Sequence, residues 1–248
     1  MAPENTLLAF DNALALGADG LELDVHLSRD GVVMVQHDAT LGRTTDLRGR
    51  IAQHTAAELA RADAGWHFCR GGEYPFRRCG IGVPTLAEVL VRHPGVRVII
   101  ELKTGSAELA RAAVAAVHAA HAVERVCIGS FDVRGLRVIR ALEPAIATSA
   151  ARAEVALALA KVWCHWPLTT AAYGGFQVPE RSGRTRVVSP AFVTAAHRAG
   201  LGVHVWTVDQ SEEAHRLLEC GVDALITDRP DLIVPIVRQR GDDAAVRE

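Results

Sequence analysis

The chain has 248 residues, 49% of them hydrophobic and 23% charged, with a formal net charge of −2. That apolar content offsets chain entropy and excludes a disordered chain, and the near-neutral charge excludes a basic binder of nucleic acid or anionic membranes. No run of about 18 apolar residues occurs, so no membrane-spanning helix is expected, and the length is close to the roughly 250 residues of an α/β barrel.

Short β-branched runs alternate with Ala-rich stretches, the pattern of a parallel α/β fold. Residues 6–17 read as a helix capped by Thr6 and ended by Gly17. A strand is predicted over 21–25, and helices over 55–62 and 85–91 open on Thr55 and Thr85. Glu58 and Glu88, three residues on, complete capping boxes. Further strands are predicted over 96–103, 126–131, 146–150, 175–179, 201–208 and 224–227. Helices are predicted between them over 107–122, 134–142, 154–161, 190–199 and 211–219, with an apolar 232–237 segment closing the chain. No linker or compositional break divides the sequence, so one barrel domain over 1–248 is expected. That gives seven core strands where a closed barrel needs eight.

The five cysteines (69, 79, 127, 164 and 220) form an odd set with no C-x-x-C pair. This points to a reducing compartment, the cytoplasm, rather than to a disulfide frame or zinc site. The N-terminus shows no basic region followed by an apolar stretch, hence no signal peptide as written. Lysine occurs only at Lys103 and Lys161 in an otherwise arginine-based set of cations.

The chemistry concentrates in the segment from Leu21 to Asp38. Strand alternation puts Glu22 and Asp24 on one face. Asp30-Gly31 is a two-residue hairpin signal, and that turn predicts Arg29 opposite Val32 and Asp24 opposite His37. Glu101 ends another apolar run, with Lys103 two residues later. Taken singly, Glu22 with Asp24 reads equally as a solvated edge or salt bridge, His37-Asp38 as a turn contact, and Glu101 with Lys103 as an ion pair. Their joint occurrence at predicted strand ends, where barrel active sites are built, favours a site. Three carboxylates are hard oxygen ligands suited to Mg²⁺ or Ca²⁺. A carboxylate-held cation, a lysine and a histidine together suit phosphoryl transfer.

These residues sit in a longer series: Ala-Pro-Glu-Asn-Thr-Leu-Leu-Ala-Phe (2–10), Gly-Ala-Asp-Gly-Leu-Glu-Leu-Asp-Val (17–25), Asp30-Gly31 and Val-Gln-His-Asp (35–38). Arg-Thr-Thr (43–45), Val-Pro-Thr-Leu-Ala-Glu-Val-Leu (83–90), Glu-Leu-Lys (101–103), Ser130-Phe131, Val-Trp-Thr-Val-Asp (205–209) and Ile-Thr-Asp-Arg-Pro (226–230) continue it. The ordered set closely resembles the glycerophosphodiester phosphodiesterases from residue 2 to about 235. The resemblance implies an irregular TIM (β/α) barrel of the phospholipase C type with a small insertion over about 43–83. It implies metal-dependent hydrolysis of glycerophosphodiesters, such as glycerophosphocholine, to glycerol 3-phosphate and an alcohol.

By the same resemblance Glu22, Asp24 and Glu101 are expected as ligands of Mg²⁺ or Ca²⁺. Lys103 is expected as the phosphate-side cation and His37 as one of two acid/base histidines. Trp206 is expected against the glycerol carbons, or else in the core, and Phe131 as a second wall. Gln177 and His26 read mainly as solvated residues, and the other histidines as surface or helix positions. The expected partner is a small-molecule phosphodiester, with no nucleic acid and no transmembrane segment. In the family a first strand ends in His-Arg-Gly just before the Pro-Glu-Asn-Thr segment, whereas this sequence starts at Met1, directly before that segment. Two expectations follow: an enzyme whose recorded start lies downstream of the true one, or a truncated or pseudoenzyme barrel that binds metal and phosphodiester without turnover.

Overall fold

Threonine and serine caps fix where most helices begin, and the strands between them are set by alternating burial. In this computed structural model, residues 1–169 and 171–245 are described; residue 170 and the last three residues of the expected domain, 246–248, lie outside them. The chain falls into two compact units, residues 1–15 with 19–147, and residues 16–18 with 148 onward.

The first unit opens with α1 (Leu7–Ala15), where Thr6 Oγ1 accepts the Ala9 N–H and donates to the Pro3 carbonyl. β1 (Gly20–Leu27) follows and turns back as β2 (Val33–Val35). α2 (Ala56–Ala60) and α3 (Leu86–Arg92) start at Thr55 and Thr85 with both expected capping boxes formed. β3 (Arg97–Leu102), α4 (Ala107–Ala119), β4 (Val126–Gly129), α5 (Val133–Leu142) and β5 (Ala147–Thr148) complete the run. The sheet order is β2-β1-β3-β4-β5. β1–β3 and β3–β4 are parallel, and β2 is an antiparallel edge. Leu41, together with Ile51, Leu59, Ala62, Ala64 and Val83 from the 43–83 segment, forms a small core packed on Met34 of β2.

The second unit begins with α6 (Arg152–Trp163) and β6 (Gly175–Pro179). A small hairpin, β7 (Arg181–Ser182) with β8 (Thr185–Arg186), follows. No alternation of apolar residues announces it, because its paired residues are all polar. α7 (Pro190–Arg198), β9 (Gly202–Trp206), α8 (Ser211–Glu219), β10 (Ala224–Leu225) and α9 (Pro230–Ala245) end the described chain. β6, β9 and β10 form a parallel sheet in the order β10-β9-β6, covered by a core that includes Phe176, Phe192, Val203 and Val205. All seven expected core strands are present. Among the described residues no helix is long and apolar enough to cross a membrane.

Candidate active site

Alternation along β1 sends Leu21, Leu23 and Val25 into the apolar core and leaves Glu22, Asp24 and His26 on the opposite face. The parallel register sets Asp24 level with Glu101 on β3 and Val25 level with Leu102. Glu22, Asp24 and Glu101 therefore meet at the C-terminal ends of two neighbouring strands, each offering a carboxylate oxygen within 4.8 Å of the others. Oxygen ligands lie about 2.0–2.6 Å from Mg²⁺ or Ca²⁺, so two on one ion are separated by at most about 5 Å. Both the spacing and the hard oxygen donors fit such a cation.

Lys103 continues β3 and returns its ammonium to the same cluster, 2.8 Å from Asp24 Oδ1 and 3.5 Å from Glu101 Oε1. All three side chains are largely buried. Burial pushes the Glu101 carboxyl above its ordinary value, against the pull of Lys103. Burial opposes the charge on Lys103 too, but the hydrogen bond to Asp24 and the two carboxylate charges outweigh it and hold the ammonium above its usual range. Asn5 closes the other side. Its Nδ2 donates to Asp24 Oδ2 at 3.0 Å while its Oδ1 accepts the Asp24 N–H at 3.3 Å. Asn5 adopts φ 53°, a left-handed conformation that asparagine tolerates better than most residues. Pattern reading did not single out Asn5 as a site residue. The signal for it was a lone Asn directly before a helix-capping threonine.

The hairpin register differs from expectation by one residue. Val25 pairs with Val35 and Leu27 with Val33, so Asp24 faces Gln36, whose N–H donates to the Asp24 carbonyl, rather than His37. The turn has three loop residues instead of two. Ser28 closes it by accepting the Val32 N–H on Oγ and donating to Asp30 Oδ1, and Gly31 takes φ 78° as the left-handed third residue. His37 consequently lies one residue past the pair expected. It still lies within electrostatic reach of Glu101. Its Nδ1 is 2.7 Å from Asp38 Oδ1, and its ring is half exposed.

Arg43 holds this dyad from the far side. Its Nε is 2.6 Å from Asp38 Oδ2, and Nη1 and Nη2 lie 2.7 and 2.6 Å from the two carboxylate oxygens of Glu4. The Arg43 guanidinium keeps the Asp38 carboxyl ionised, lowering it to about 2 against the opposing effect of burial.

His26 is buried, not solvated as the hairpin pattern suggested. Its Nε2 lies 3.1 Å from the His37 carbonyl, which requires the Nε2–H tautomer, and burial lowers its pKa. His93, one of the histidines read as surface or helix positions, is also buried, because it ends α3 against Asp11 of α1. Phe131 follows β4 and is 53% exposed, on the strand-end side of the first unit. Trp206 ends β9 half-buried, on the face opposite the core residues Val203 and Val205, which removes the core-tryptophan alternative. Gln177 shares that outer face of its sheet, level with His204, and is half-buried rather than solvated.

With the site's geometry defined, comparison with known proteins places it. A model of the glycerophosphoryl diester phosphodiesterase family matches residues 1–232. The chain belongs to this family. It is 34% identical over 244 residues to a glycerophosphodiester phosphodiesterase of Caldanaerobacter subterraneus subsp. tengcongensis, covering 96% of this chain and 94% of that one. Among solved structures it resembles the glycerophosphoryl diester phosphodiesterase domain of a Mycobacterium tuberculosis protein. That match has a TM-score of 0.80 at 24% identity, over 92% of each chain. It also resembles an Oleispira antarctica phosphodiesterase in complex with its product sn-glycerol-3-phosphate, with a TM-score of 0.73 at 26% identity over 96% of this chain and 92% of that one. The fold class is thus the irregular (β/α) barrel of the phosphodiesterase type, and the family is one of hydrolases acting on small molecules.

Proposed function

We propose that the chain is a divalent-cation-dependent hydrolase that cleaves glycerophosphodiesters, such as glycerophosphocholine, to glycerol 3-phosphate and an alcohol. The observation that carries this reading is the convergence of Glu22, Asp24 and Glu101 around one lysine at adjacent strand ends, in a chain of this family. The Oleispira relative with bound sn-glycerol-3-phosphate supports the same substrate class. Glu22, Asp24 and Glu101 would hold Mg²⁺ or Ca²⁺. When bound, the cation supplies charge neutralisation at the phosphodiester.

Lys103 contributes a second positive charge beside Asp24 and Glu101 and would face a phosphoryl oxygen. His37 moves the proton. With Nδ1–H donated to Asp38, its Nε2 is the atom that exchanges a proton with the glycerol 2-hydroxyl or the leaving alcohol. Phe131 supplies an apolar wall for the glycerol carbons, and residues 43–83 form the family's insertion. The odd cysteine set without a paired motif favours the cytoplasm as its compartment.

The direct assay measures glycerol 3-phosphate release from glycerophosphocholine, with Mg²⁺ or Ca²⁺ and with chelator. Release is expected only with the cation, and His37→Gln should lower the rate by about 10²- to 10⁴-fold. Equal release in chelator would refute the metal-dependent reading.

A further inference from the structure

We propose that Glu4 and Arg43 are positioning residues for His37: a Glu4–Arg43–Asp38–His37 chain fixes the ring so that Nδ1 carries the proton and Nε2 stays free for transfer. This rests on the reading above that His37 is the group that moves the proton.

The geometry is continuous over four side chains. Both terminal nitrogens of Arg43 are engaged by Glu4, at 2.7 and 2.6 Å. Its Nε and Nη2 meet Asp38 Oδ2 and Oδ1 at 2.6 and 3.3 Å. Asp38 Oδ1 then receives the His37 Nδ1–H at 2.7 Å. A guanidinium is planar and presents donors along two edges, so gripping Glu4 with one edge and Asp38 with the other sets the plane of the Asp38 carboxylate. An ionised carboxylate accepts hydrogen bonds and cannot donate, so neutral His37 must present Nδ1–H to it.

Glu4, Arg43 and His37 are each about half exposed. Ion pairs this exposed add little to folding stability, so orientation is the larger consequence of the chain. Glu4 also directly precedes Asn5, which grips Asp24 by two hydrogen bonds. A single short segment thus sets both the carboxylate cluster, through Asn5, and the histidine, through Glu4.

The test uses the full chain with ¹⁵N-labelled histidine, in wild type, Glu4→Gln, Arg43→Lys and Arg43→Met, with the His37 ring signal assigned by its loss in His37→Gln. Neutral His37 is expected as the Nδ1–H tautomer in wild type, with the Nε2–H form gaining several-fold in the variants. On glycerophosphocholine with Mg²⁺, kcat should fall about tenfold while KM changes less than about twofold, a split expected for a misplaced transfer group. Lysine should not rescue, because it has no fork. Glu4→Gln is nearly isosteric at an exposed position and keeps the test valid if Arg43→Met does not fold. An unchanged His37 tautomer in Glu4→Gln and Arg43→Lys overturns the proposal. Full activity in His37→Gln instead refutes the proton-transfer reading of His37, and the tautomer result then decides the role of Glu4 and Arg43 by itself.

Discussion

Lys103 Nζ lies 2.8 Å from Asp24 Oδ1, so a carboxylate of the proposed cation site is already paired with the chain's own ammonium. Glu101 lies 3.5 Å from the same ammonium and Glu22 sits beside both carboxylates, an arrangement stable only while some positive charge remains among them. Lys103→Met leaves the buried carboxylates without that charge. Removal of one partner of a buried ion pair costs about 3–5 kcal/mol, and the residual exposure here favours the lower figure. Urea denaturation in chelator should show that loss, and millimolar Mg²⁺ or Ca²⁺ should recover a larger fraction of stability in the variant than in wild type. Equal stability of the two proteins in chelator would contradict the pairing.

Asn5 is predicted to matter through its side chain more than through its backbone. Asn5→Ala removes two hydrogen bonds to Asp24, one of them to the carboxylate, and leaves a φ of 53° for alanine to adopt. Loss of a bond to a charged group costs about 1.5–3 kcal/mol. Asn5→Gly relieves the backbone and still lacks the bonds, so it should recover only the conformational part, about 1 kcal/mol. Denaturation midpoints of the two variants separate the contributions. A fully restored midpoint in the glycine variant would show that the side-chain bonds contribute nothing.

Gly31 is the left-handed third residue of the turn whose register brings Gln36, rather than His37, opposite Asp24. Its φ of 78° disfavours any residue with a Cβ, although no atom lies within 4 Å of where one would sit. Gly31→Ala should therefore destabilise by about 1–2 kcal/mol through strain alone, and Gly31→Asn by less, because asparagine tolerates the left-handed region. Equal losses for the two substitutions would rule out the left-handed turn.

Burial holds His93 below the ordinary histidine pKa, with Asp11 pulling the other way and Arg92 and Arg125 adding to the depression. Its Nε2 has no hydrogen-bond partner among the described residues and lies 3.6 Å from Asp11 Oδ1. The unfolded chain binds a proton at this residue near pH 6.5, while the folded chain binds it only at lower pH. The contribution from neutral His93 is thus complete above about pH 6.5 and is lost as pH falls through the depressed folded value. The slope is at most about 1.4 kcal/mol per pH unit. His93→Gln should flatten stability against pH over that window, and an unchanged slope would contradict the assignment.

Much of this is legible in the amino-acid sequence alone. Helix starts at Thr55, Thr85 and Ser211 were readable because a side-chain cap or the onset of a periodic stretch is a local event. The pairing of Asp24 with Glu101 was accessible only as two charged residues ending apolar strands. Their register depends on hydrogen bonding between segments separated by more than seventy residues. The hairpin slip was illegible because Asp30-Gly31 serves a two-residue or a three-residue loop equally well, and Ser28 decided between them through side-chain bonds. The burial of His26 and His93 is not legible for a related reason: His26 is closed off by the returning hairpin arm at His37, and His93 packs against Asp11, more than eighty residues earlier. Arg43 stood in a motif, but its partner Glu4 lies 39 positions away.

Titration calorimetry of the full chain with Mg²⁺ and with Ca²⁺ tests whether Glu22, Asp24 and Glu101 form one cation site. One bound cation per chain is expected in wild type, with affinity lost by at least about tenfold in Glu22→Gln and in Glu101→Gln. Binding should be tighter in Lys103→Met, where the competing ammonium is gone. No heat of binding in wild type, or equal binding in the Glu22 and Glu101 variants, would contradict that site.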